Sequence, residues 1–136
     1  MVYDFQYSER TDDIIVSVLV IYIGNYYVKD EHCYAWAYTI NIQNVGNSTV
    51  KLLNRNWEII DNKGMITKVQ GPGVVGENPV LKPGEVFEYT SGTSLKSSSG
   101  IMRGYYELIN VDTNTFLNVK IPPFSLDSID ENILPN

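Results

Sequence analysis

The chain has 136 residues, of which 43% are hydrophobic and 19% charged, and its formal net charge is −6. Such a length suits one domain able to bury roughly two-thirds of the surface its unfolded form exposes, so folding requires no metal or disulfide staple. The acidic balance argues against a general nucleic-acid binder, which needs clustered Lys and Arg, and against docking on an anionic membrane.

The opening residues, MVYDFQYSER, are polar, carry Asp4 and Glu9, and contain no apolar signal core. They are expected to form a loose tail up to about Asp12. The most apolar run, IIVSVLVIYIG, starts at Ile14. It falls short of the roughly 20 residues that span a bilayer and is expected to be a buried strand. Tyr26 and Tyr27 are placed in the loop after it. In YAWAYTINIQN the large residues Tyr34, Trp36, Tyr38, Ile40 and Ile42 alternate with Ala35, Ala37, Thr39, Asn41 and Gln43. Alternation with period two is the mark of a strand with one buried face.

The same period recurs with Trp57 and Ile59 against Glu58, with Phe87 and Tyr89 against Glu88, and with Leu117, Val119 and Ile121 against Asn118 and Lys120. The run from Ile101 to Ile109 is also rich in strand formers. Turn residues separate these runs: NVGN, DNKG and NVDTN. In LKPGEV, Pro83 presets φ for the second position of a turn and Gly84 takes the positive φ of type II. No segment shows helical periodicity with caps. Seven or more short antiparallel strands are therefore expected, packed as an all-β sandwich of immunoglobulin or fibronectin type III kind. A small barrel is the alternative. Residues 1–136 are one domain on this reading, with a core of about 14–126 and flexible tails.

Gly71-Pro72-Gly73-Val74-Val75-Gly76 matches GxGxxG, the spacing found around dinucleotide pyrophosphates. A dinucleotide site of that kind needs a helix directly after the glycines, to supply aligned N–H groups. Here Pro79 and Pro83 follow, four apart, and each breaks a helix interior. A Rossmann site is excluded, and so is a P-loop, since no Gly-Lys-Ser/Thr follows. Two readings remain open for Gly71, Gly73, Val74, Val75 and Gly76: a shaped connection between strands, or an anion-binding nest of backbone N–H groups.

Other chemistry is sparse. His32 and Cys33 are adjacent at the start of a strand, where neighbours face opposite ways and cannot share a proton. With one His and one Cys, no other such pair exists and no transition-metal site can be built. No catalysis, cofactor or metal is expected. A single cysteine also excludes an internal disulfide and suits a reducing compartment, the cytoplasm. Asp30 and Glu31 are expected to be solvated loop charge.

The ordered motifs LLNRNWEIIDNKG, VQGPGVVGENPVLKPGEVFEYTSG, GIMRGYYEL and VKIPPFSL, after YAWAYTINIQNVG, resemble the ApaG proteins of bacteria from about Ile14 to Leu126. The resemblance implies a fibronectin type III-like fold and an association with cobalt and magnesium resistance or efflux. It also implies kinship with protein-interaction domains of eukaryotes, one of them in an F-box ubiquitin-ligase subunit. In that family the GxGxxG has been connected with pyrophosphate or nucleotide binding, which maps onto Gly71, Gly73 and Gly76. The expected function is a non-catalytic protein-interaction module, anchored by exposed aromatic residues near the Gly71–Gly76 loop. The alternative is a pyrophosphate or nucleotide binder using that loop. The partner is unidentified, and a second copy of the chain is a further candidate.

Overall fold

The computed structural model describes residues 4–128. Among them are nine strands and no helix: β1 (Tyr7–Thr11), β2 (Ile14–Val28), β3 (Glu31–Asn44), β4 (Val50–Asp61), β5 (Ile66–Pro72), β6 (Val80–Leu81), β7 (Val86–Leu95), β8 (Ser99–Asn110) and β9 (Thr115–Asp127). They form two antiparallel sheets, ordered β1-β2-β3-β7 and β5-β4-β8-β9, with β6 pairing the start of β4. The connections β3–β4, β6–β7 and β7–β8 pass from one sheet to the other. The result is the expected sandwich, not a barrel.

Period two explains which faces meet. Trp36, Tyr38, Ile40 and Ile42 of β3 are all buried, as are Val119 and Ile121 of β9. At the centre, the Trp57 ring stands edge-on to Tyr38 at 5.5 Å and to Phe124 at 6.0 Å. Such pairs add about 1 kcal/mol each beyond the area they bury. The Lys82–Glu85 turn is type II as expected: Glu85 N donates to Lys82 O, and Gly84 has φ +86°.

Two expectations are corrected. The segment before Asp12 is not a loose tail. Tyr7–Thr11 pairs with β2 from Tyr7↔Val18 to Thr11↔Ile14. The Tyr7 ring packs 6.0 Å from that of Phe124, and its hydroxyl accepts a bond from Ser125 N at 3.2 Å. Its polar sequence, YSERT, hides a strand whose outer face meets water. Likewise, Tyr26 and Tyr27 lie in β2, not in a loop. The hairpin continues to Val28↔Glu31, with Lys29 and Asp30 alone at its tip, at φ +49° and +69°. A two-residue turn of this hand matches the twist of long paired strands. At the other end, β9 runs one residue past Leu126, and the tail expected beyond Ser128 lies outside the described residues.

Candidate functional site

The glycine loop joins β5 to β6 along one open flank of the sandwich. No helix follows it. Val74 and Glu77 form a two-residue hairpin turn, exchanging N–H···O bonds of 2.8 and 2.9 Å. Val75 and Gly76 occupy its corners at φ +43° and +80°. Gly76 suits that place, whereas a β-branched Val75 there is strained. Gly73 has φ +61° and no room for a side chain, since a Cβ would lie 2.2 Å from Glu77 O. Its amide donates to Leu53 O at 2.8 Å, and Asn78 Nδ2 bonds Leu52 O and Leu53 O. The side chain of Val74 is fully buried and plugs the flank. The loop thus spends the amides of Gly73, Val74 and Glu77 on its own chain. Those of Val75 and Gly76 make no such backbone bond.

Behind the loop is a cavity of about 340 Å3 between β7 and the β4–β5 edge. Arg55 enters it from β4. It shares the inner face with Trp57 and Ile59 because it precedes them by two and four residues. Arg55 Nη1 donates to Pro72 O at 2.9 Å and to Gly73 O at 3.0 Å. Gly71 lies beneath the guanidinium, where a Cβ would be 3.0 Å from both Nη atoms. The opposite wall carries Ser91 and Thr93 of β7 with the hydroxyl ends of Tyr38 and Tyr89. Tyr38 lies across the ladder from Ser91, and the Tyr89 hydroxyl is hydrogen-bonded to that of Tyr106. Burial pushes all three tyrosines above the usual phenol range, with the Arg55 charge pulling weakly the other way. They stay protonated at neutral pH.

Arg55 was not singled out from the sequence as a site residue. The signal was present: in NRNWEII it falls in step with Trp57 and Ile59, so the alternation points a cation inward. The expected aromatic anchors are also corrected. The aromatic residues beside the loop, Tyr38, Trp57 and Tyr89, are buried. The exposed ones do not line the cavity: Tyr26 at 42% and Tyr27 at 67% stand on the β2–β3 hairpin, Tyr105 on β8 and Phe116, at 74%, on β9.

Two other surface features carry charged or aromatic clusters. A depression of about 570 Å3 on the outer face of the second sheet holds Lys68, Arg103 and Lys120. Its charge is largely spent, because Glu58 lies 2.8 Å from Arg103 and 3.8 Å from Lys68, and Glu9 lies 3.8 Å from Lys120. Among the described residues Arg55, by contrast, has no ion pair. On the hairpin, His32 is sandwiched between the rings of Tyr27, at 4.6 Å, and Tyr34, at 4.4 Å, while Cys33 is buried. Glu31 pairs with Lys96 at 3.0 Å. Among the described residues no group of three or more His, Cys, Asp or Glu could hold a metal, and no helix is long and apolar enough to cross a membrane.

Comparison with known proteins adds the family. The ApaG domain model matches residues 25–110. Protein ApaG of Paramagnetospirillum magneticum is 48% identical over 122 residues, which cover 90% of this chain and 93% of that one. The solved structure of a Bordetella pertussis protein named ApaA shares 37% identity and superposes with a TM-score of 0.79 over 85% of this chain and 94% of its own. A structural genomics X-ray structure, also 37% identical, reaches 0.85 over 92% and 94%.

Proposed function

The chain belongs to the ApaG family, and from that premise we propose that it is a non-catalytic protein-interaction module whose contact element is the β2–β3 hairpin. The observation that carries this reading is the exposure of large apolar side chains there. Ile21, Ile23, Tyr26, Tyr27 and Val28 are 55%, 65%, 42%, 67% and 49% exposed within eight residues of one strand. Scattered apolar residues need no explanation, but a projecting hairpin with exposed apolar side chains on both faces, as Tyr26 and Tyr27 present at successive positions, offers a contact surface. Tyr27 is held in place by its stack on His32, so a partner would meet a rigid aromatic at low entropic cost. Any influence on cobalt or magnesium tolerance would pass through that partner. The site of action is the cytoplasm on this reading.

The test is capture from an extract of the native cell on immobilised protein, wild type against an Ile23→Lys/Tyr27→Ser variant of equal thermal stability. A protein retained by the wild type and lost by the variant is expected. Identical retention on both would remove the hairpin from the reading.

A second reading keeps the loop as a pyrophosphate or nucleotide site, with Val75 and Gly76 supplying the amides. Pyrophosphate should then displace the amide resonances of Gly71, Gly73, Val74, Val75 and Gly76. Unmoved resonances at millimolar ligand would dismiss it.

A further inference from the structure

We propose that the cavity behind the glycine loop binds a carboxylate carried on a small apolar stem, with Arg55 as its counter-ion. The proposal is independent of the hairpin and does not use the loop as a phosphate cradle.

The first argument is charge. A cation turned to the inner face of a sandwich is costly unless something pairs with it. Among the described residues, five of the ten Lys and Arg side chains have carboxylate partners, and Arg55, which lines the cavity, has only the carbonyls of Pro72 and Gly73. Both bonds leave from Nη1. A guanidinium offers five donors in a planar fork, so an edge remains for an acceptor with two oxygens. A single positive charge suits a monoanion. Pyrophosphate would bring several negative charges next to one Arg, beside Glu77, in a chain of net charge −6.

The second argument is the wall. About 340 Å3 is at the small end of the range for ligand pockets. Trp57, Ile59 and Val74 give it an apolar floor, while Ser91, Thr93 and Tyr38 supply hydroxyls opposite the Arg. Protonated phenols can donate to a carboxylate but cannot replace it as a charge partner. An anionic head with a short aliphatic body fits both halves of this lining. The third argument is the mouth. Val75, in a backbone conformation unfavourable for a β-branched residue, presents a 54% exposed side chain that lines the opening. Backbone strain of this kind recurs at ligand clamps.

A carboxylate of this kind has two sources, a free aliphatic acid or the C-terminus of a polypeptide. The test is titration of isotope-labelled protein, followed through backbone amide resonances, with 4-methylpentanoate and with a pentapeptide ending in Leu. The controls are 4-methylpentanamide and the C-terminally amidated peptide. At least one acid should shift Val75, Gly76, Ser91 and Thr93, and its amide should bind about tenfold more weakly or worse. The acid alone binding identifies a metabolite site; the peptide alone identifies a chain end. Arg55→Gln should abolish the response. Because Arg55 also holds the loop, Ser91→Ala, which leaves the loop's bonds intact, provides the second variant and should weaken binding about threefold. Raising the salt should weaken it further. Equal shifts from acid and amide, no shift from either acid at millimolar concentration, or full binding by Arg55→Gln would overturn the proposal.

Discussion

The two flanks of the sandwich are closed in different ways. On one flank, β1 and β9 approach directly: Lys120 N donates to Thr11 Oγ1 at 3.1 Å, Ser125 N donates to Tyr7 Oη, and the Tyr7 ring covers Phe124. On the other, β7 and β5 are held apart. One buried side chain on a strained glycine loop, Val74, closes part of the gap, and the cavity beside Arg55 fills the rest. The first flank is closed by direct strand packing and polar bonds, with a cavity of about 310 Å3 beside Tyr7 and Ser125. The second depends on a backbone path that few residues can follow. The proposed carboxylate site lies on the second flank.

The largest effect that would sharpen this contrast is expected from Gly73→Ala. Both the positive φ and the 2.2 Å approach to Glu77 O forbid a Cβ, and the loss should be about 3 kcal/mol by urea unfolding. Val74→Ala removes the plug itself and should cost roughly 2 kcal/mol. Tyr7→Phe on the first flank removes one bond to a backbone amide and should cost about 1 kcal/mol. If Tyr7→Phe proved the more damaging of these two, the flanks would not differ as described.

Alkaline pH offers a third measurement. The folded phenols of Tyr89 and Tyr106 have pKa values above the ordinary 10.0, because burial disfavours the anion. Above about pH 10 the unfolded chain therefore releases protons that the folded chain keeps. Their contribution is intact at neutral pH and is lost as the pH climbs from about 10 through the raised folded values. The loss should approach about 1 kcal/mol per tyrosine one unit above the ordinary value, and Tyr89→Phe should shrink it. A flat stability profile to pH 11 would mean that these hydroxyls meet water. The smallest effect runs in the favourable direction. Val75→Asn, a residue that tolerates the left-handed region, should gain between about 0.5 and 1 kcal/mol.

Much of this architecture was legible because the physics is local. Alternation in YAWAYTINIQN and TFLNVKI assigns inner and outer faces without reference to any partner strand. Pro83-Gly84 sets its own turn. Pro79 and Pro83 forbid a helix behind Gly76 whatever the rest of the chain does. The inward aim of Arg55 belongs with these, since its distance of two residues from Trp57 fixes its face.

Other features exist only between segments. β1 is too polar to announce itself and becomes a strand because β2 and β9 offer it backbone partners and a seat for Tyr7. The hairpin extends to Val28 and Glu31 because Lys29 and Asp30 both adopt positive φ, which Asp tolerates and Lys does not favour. The GxGxxG spacing suggested a cradle of amides. The folded loop turned two of those amides, Gly73 and Val74, onto Leu53 and Glu77, and the cavity opened behind the glycines instead.

The sequence by itself determined the strand faces, the turns and the absence of a helix after the glycines, because side-chain parity and proline sterics act within a few residues. The tertiary structure alone decided which flank would be closed by direct strand approach and which by a glycine loop, and that an inward arginine would find carbonyls but no carboxylate. Those outcomes depend on where strands distant in the chain come to lie, and a pattern confined to neighbouring residues does not encode that distance.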